Sequence, residues 1–192
     1  MSDQDAAERL RAKVEQYYGP AVALVLFPPA TGVEGEVGDT EFMSEAVTQL
    51  LSGGGDAPPP GEAERLVMAA LLVLLHEGGG GHKVTFMLPE LLGLLGWPLS
   101  EPSGEAVERA LDFYMRLVRR VYTVPPTSAG RGREVRVTSS RRLIGGHEYC
   151  EESEIGAPES VRLAGRQVTV TFNPDVPLGA RAAELKSGAE GF

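Results

Sequence analysis

Ten consecutive apolar residues, Leu66-Val-Met-Ala-Ala-Leu-Leu-Val-Leu-Leu75, interrupt an otherwise mixed sequence. With its flanks, Glu62 to His76, the run reads as a helix that is apolar nearly all round. Such a helix has no face to offer water, so the rest of the chain must pack around it on every side. The run is only half the ~20 residues that a bilayer span requires, which makes it the centre of a core and not a membrane anchor.

The elements downstream of Gly78 to Gly81 follow a definite order. Val84-Thr-Phe-Met87 has the β-branched and aromatic content of a short strand. Leu88-Pro89-Glu90 opens a helix, because proline at the first helical position loses only an N–H that had no partner. Leu91, Leu92, Leu94 and Leu95 supply its buried side, and Gly96 stands where a C-terminal cap needs a left-handed residue. Trp97-Pro98 turns the chain. Ser100 or Ser103 can cap the next helix, on which Val107, Ala110, Leu111, Tyr114, Leu117, Val118 and Val121 recur at helical spacing. Beyond Val121 to Val124 and the Pro125-Pro126 bend, Glu134 to Thr138 alternates like a strand, as does Val168 to Phe172. Gly145-Gly146 and the acidic run Glu148 to Glu154 read as a solvated loop.

Helix, strand, helix, turn, helix and basic hairpin make an α+β winged helix-turn-helix domain, assigned to residues 61–176. Residues 1–60 form an extension that packs on it: an amphipathic helix over 5–18 with Ala7, Leu10, Val14 and Tyr17 on one face, a buried strand from Ala21 to Phe27, and a second helix from Phe42 to Leu51. Residues 177–192 are a tail, with one short helix expected at Arg181 to Lys186.

The formal net charge of -9 is the wrong sign for a protein that coats nucleic acid indiscriminately. Its distribution changes the inference. Nine arginines against Asp112 and Glu134 give the segment from Arg109 to Arg142 a charge of +7, leaving -16 for the remainder. A basic segment on an acidic body is a directed anion site or a charge-complementary contact.

The motifs from Gly61 to Pro174 resemble the winged-helix domain of plasmid replication initiators of the replication initiator A type. The residues that carry the resemblance are the helix Leu66 to Leu75, the stretch Val84-Thr-Phe-Met-Leu-Pro-Glu-Leu-Leu-Gly-Leu-Leu-Gly-Trp97, the step Ser103-Gly104 with the helix Glu105 to Val121, and the strand Val168-Thr-Val-Thr-Phe-Asn-Pro174. The resemblance implies a DNA-associated initiator. In that family two such domains stand in tandem, the first mainly a dimerisation and interaction unit with some backbone contact, the second a more direct reader of bases. A homodimer and replication proteins are the partners it implies.

The candidate DNA contacts are Arg116, Arg119 and Arg120 at the end of the long helix, Arg131, Arg133 and Arg136 on the hairpin, and Arg141 and Arg142 beyond it. Glycine-spaced arginines at a hairpin tip can track phosphates or enter a minor groove. The N-terminal half of the long helix, the part that ordinarily meets base edges, carries Glu105, Glu108 and Asp112 instead, so double-stranded DNA is expected to be held by its phosphates. The same arginines could also form a solvated face or protect an edge strand against self-pairing. A transcription regulator of the same fold, or a protein-interaction module that binds no DNA, are the alternative functions.

Other chemistry finds little footing. Gly78-Gly-Gly-Gly-His-Lys-Val-Thr85 lacks the glycine before and hydroxyl after Lys83 that a phosphate-binding loop needs, and it follows a helix. His147, Cys150 and Glu151 fall short of a closed zinc set, with His76 and His82 distant in sequence. No Gly-x-Ser-x-Gly is present, and no enzymatic activity, cofactor or metal is expected. With a single cysteine, Cys150, no intrachain disulfide can form. The acidic polar start from Met1 to Glu15 has no signal-peptide pattern, and a cytoplasmic location is expected.

Overall fold

A computed structural model describes residues 3–29, 50–52, 58–116, 118–124, 135–151 and 155–176, with 118–124 and 135–140 by backbone. The apolar run forms α3 (Glu62–Glu77), and every residue from Val67 to Leu75 is buried. Each fully buried leucine in it contributes about 1.5–3 kcal/mol relative to exposure. α1 (Asp3–Tyr18) packs against α3 with Ala6, Leu10, Val14 and Tyr18 inward, a strict four-residue repeat. The inward face is rotated slightly from the expected one, so Tyr17 is half-exposed. There its ring stacks on His76 at 4.0 Å and its hydroxyl donates to Glu77.

Ala21 to Phe27 is a helix, not the expected strand. α2 (Pro20–Leu26) starts with proline at its first position, and Val22, Ala23 and Leu26 are buried at helical spacing. A seven-residue apolar run is compatible with either structure; here Pro20 presets the helical φ.

β1 (Lys83–Met87) alternates exposed and buried, and α4 (Leu88–Leu95) begins immediately after it with Pro89 near its start. Gly96 closes α4 at φ 73, as the sequence leads one to expect. α5 (Glu101–Tyr114) is capped by Ser100, whose hydroxyl accepts from the Ser103 amide at 3.4 Å. It buries Val107, Ala110, Leu111 and Tyr114 against α3.

α5 ends at Tyr114, seven residues short of the expected Val121. Val118 and Val121 belong instead to β2 (Val118–Val124), which pairs antiparallel with β3 (Val135–Arg141). The Val-Arg-Arg-Val-Tyr-Thr-Val composition is that of a strand, and the ladder with β3 outweighs the helical spacing. This hairpin is a two-stranded sheet of its own.

The main sheet has the order β1-β5-β4, antiparallel throughout, from β4 (Ile144–Glu151) and β5 (Arg166–Phe172). β4 occupies part of what reads as an acidic loop. Its register slips by one residue between Ile144 and Gly146, so the glycine pair marks a bulge in an edge strand. A Cβ on Gly145 would lie 3.3 Å from the Thr171 carbonyl, a close strand approach. Between β4 and β5, α6 (Glu159–Ala164) is anchored by one buried side chain, Leu163, against α4 and α5.

Only Leu50 and Leu51 of the expected 42–51 helix are described; both are helical and buried. The expected tail helix at 181–186 and the Pro125-Pro126 bend lie outside the described residues. Among the described residues no helix is long and apolar enough to cross a membrane.

Candidate nucleic-acid interface

Four arginines of the central segment, Arg109, Arg116, Arg141 and Arg142, have described side chains, and they divide into two groups. Arg109, on the body of the domain, is engaged with a carboxylate, as is Arg166 from another part of the chain. Arg109 pairs with Glu105 one turn earlier on α5 at 3.4 Å. Arg166, outside the segment picked from sequence, donates to Glu108 of α5 at 2.9 Å and to Glu151 of β4. Its guanidinium carbon also stands 5.4 Å from the centre of the Tyr149 ring.

Arg116, Arg141 and Arg142 form the second group. All three are exposed. Among the described residues none of them is ion-paired: Arg116 lies over the Phe113 ring, and Arg142 takes part through its backbone carbonyl, which accepts from Asn173. The hairpin ladder sets Val118 opposite Arg141. Arg116 is two residues before Val118 and Arg142 one after Arg141, so the three Cα atoms lie within about 16 Å of one another at the root of the hairpin.

Arg119 and Arg120 are on β2, opposite Ser140 and Ser139, and not at a helix end as expected. Arg136 is on β3 opposite Thr123. Arg131 and Arg133 lie outside the described residues. Of the eight candidates, the structure therefore places six on or at the base of one hairpin.

The N-terminal part of α5 is acidic and exposed at Glu101 and Glu105, as is Asp112 nearer its end. On the sheet side of this helix Tyr149 is half-buried. Burial first, and then the Glu108 carboxylate, raise its phenol well above the usual tyrosine range, against the opposing Arg166 charge. Among the described residues the Tyr149 hydroxyl is buried without a hydrogen-bond partner. His147 approaches Met115 through Nδ1 at 3.2 Å and meets the Tyr149 ring edge-on at 5.1 Å. Among the described residues no group of three or more His, Cys, Asp or Glu side chains could hold a metal ion. Cys150 is exposed.

Nothing in the sequence signals Arg166 as the residue that neutralises α5. It lies 58 positions from Glu108, and the two meet through the packing of the helix Glu101–Tyr114 on β4, which pairs with β5.

No protein-family model and no curated protein matches the chain. Among solved structures, a crystal structure of selenomethionine derivatives of domain 2 and domain 3 of RctB is similar over 59% of this chain, at 13% identity and a TM-score of 0.45. The match spans 41% of that chain.

Proposed function

We propose that residues 61–176 form a winged-helix domain of the replication-initiator kind, with 1–60 as its extension and 177–192 as its tail, and that the domain docks on duplex DNA through the phosphate backbone. Its mechanism is non-covalent, and the protein is not an enzyme. What supports the fold reading is the order α3, β1, α4, α5, β4, β5 with strand order β1-β5-β4. In this reading the wing is the connection from β4 through α6 to β5, and the arginine hairpin β2–β3 is inserted after α5.

One observation carries the DNA reading: Arg116, Arg141 and Arg142 stand exposed and, among the described residues, without carboxylate partners at the root of a hairpin that also bears Arg119, Arg120 and Arg136. A guanidinium that is not paired with a carboxylate keeps its in-plane donors for a phosphate. The acidic N-terminal half of α5 disfavours base reading by that helix, so binding is expected to depend on salt far more than on sequence.

The test is fluorescence anisotropy with a random-sequence labelled duplex at low and high salt. Replacement of Arg116, Arg141 and Arg142 by alanine, and separately of Arg131, Arg133 and Arg136, is expected to remove most of the binding. Unchanged affinity in both triple variants would exclude the hairpin as the contact.

A protein-interaction role with no DNA is the second reading. Ile155 is fully exposed, Val161 of α6 is about half exposed, and both lie between β4 and β5. Absence of duplex binding at low salt would favour it. A cytoplasmic homodimer is the state in which either role is expected to operate.

A further inference from the structure

We infer that Phe113 is a positioning residue for the hairpin-root site, holding the Arg116 guanidinium ready for a phosphate. The inference rests on the DNA reading and deepens it.

Phe113 lies off the face of α5 that carries Val107, Leu111 and Tyr114. Its ring is half-buried, packs on the core and meets Tyr114 edge-on at 5.1 Å and 79°. Tyr114 is itself buried, so the Phe113 ring rests on a fixed support. The Arg116 guanidinium carbon lies 5.2 Å from the centre of that ring. Between Phe113 and Arg116 in sequence, Met115 meets His147 of β4 at 3.2 Å. The end of α5 is thus fastened by two side-chain contacts before the chain enters the hairpin.

The kind of partner matters. Arg109 and Arg166 are oriented by carboxylates, which cancel the charge that a phosphate would feel. Arg116 is oriented by a ring. A cation over an aromatic face is attracted to the ring quadrupole yet keeps its full charge. Its N–H donors lie in the guanidinium plane and remain open to an anion approaching the edge. A guanidinium restrained in this way loses less freedom when the phosphate arrives than a free side chain would.

The test uses the full chain and a fluorescein-labelled random duplex, with affinity read by anisotropy from low to high salt. Phe113→Leu keeps an apolar side chain against the core but removes the ring; Phe113→Tyr and Phe113→Trp keep a ring. Circular dichroism and thermal melting report the fold of each variant. Phe113→Leu is expected to weaken binding by about two- to fivefold, the range of an exposed cation–π contact, while both ring-bearing variants bind like the parent. Adding Phe113→Leu to Arg116→Ala is expected to cause no further loss, because the ring acts only through that arginine.

Full affinity in Phe113→Leu, or losses that add in the double variant, would overturn the positioning role while leaving the DNA reading intact. If Phe113→Leu does not fold, loss of affinity in the folded ring-bearing variants overturns it equally. Parent affinity in Arg116→Ala, Arg141→Ala and Arg142→Ala alike would instead remove the DNA reading on which it rests.

Discussion

Arg166 at the start of β5 donates to Glu108 of α5 at 2.9 Å, and the same guanidinium reaches Glu151 at the end of β4. One cation therefore joins the acidic helix to two strands of the sheet, and its side chain is only 19% exposed. Arg166→Met preserves the stem but leaves two carboxylates facing each other without a counter-charge. The expected cost is roughly 1–3 kcal/mol, between the values for surface and buried pairs, read as a lower urea midpoint. Adding Glu108→Gln to that variant is expected to restore part of the loss. A midpoint unchanged in Arg166→Met would show the pair to be energetically idle.

Gly96 answers to two constraints at once. Its φ of 73 lies in the left-handed region, and a Cβ built on it would stand 2.9 Å from the Ala6 Cβ of α1. Gly96→Ala must therefore strain the backbone and push α1 away from α4. A loss of about 1–3 kcal/mol is expected, with added proteolytic sensitivity in α1. Gly81→Ala, at φ 98 with open space around it, bears only the backbone strain and is expected to cost less.

Much of the core was legible because its signals were local. The ten-residue apolar run, Pro89 and Gly96 each constrain a few neighbouring dihedrals, and α3 and α4 stand where those residues put them. The elements that differ depend on distant partners. Val118 and Val121 fit a helix by spacing, but Arg141 and Thr138 pair with them across a hairpin. Gly145-Gly146 has the composition of a loop, yet Thr171 lies opposite Gly146 in the ladder with β5. For Ala21 to Phe27 length and hydrophobicity suit both structures, and the φ preset by Pro20 decides for the helix. As to the candidate site, the clustering of arginines was visible in sequence, as was the spacing of Arg109 one turn after Glu105. The neutralisation of Glu108 by Arg166, outside that cluster, was not, since the two meet only in the folded chain.

Two tyrosine-to-phenylalanine changes are expected to have opposite consequences. The Tyr18 hydroxyl donates to the Leu72 carbonyl at 2.7 Å in the core, so Tyr18→Phe should cost about 1 kcal/mol. The Tyr149 hydroxyl is buried without a partner among the described residues, so Tyr149→Phe should be neutral or slightly stabilising. Paired denaturant titrations check both signs.

The same phenols set the alkaline limit of stability. Burial raises Tyr18, Tyr114 and Tyr149 above the usual tyrosine value, most simply for Tyr18, where it is the only cause. Folding then favours the protonated phenol. The associated stability is complete below about pH 10, the unfolded value, and is lost as pH rises from there through the folded-state values. Absorbance at the phenolate band should thus show a late titrating fraction coincident with unfolding. Titration of all five tyrosines near their ordinary value in a folded protein would contradict this.

Asp112 lies one helical turn before Arg116 and is exposed, so a duplex held at the hairpin root would meet a negative charge on α5. Asp112→Asn is expected to tighten random-duplex binding by about two- to threefold at low salt, a near-surface charge effect of under 1 kcal/mol. The gain should fade toward 1 M salt, where screening acts over about 3 Å. Arg116→Ala should do the reverse and flatten the log-affinity against log-salt slope by about 0.9, one phosphate contact. An Asp112→Asn change that weakens binding would place the acidic helix in a direct contact, such as acceptance of a hydrogen bond from a cytosine amine, and return α5 to the role of base reader.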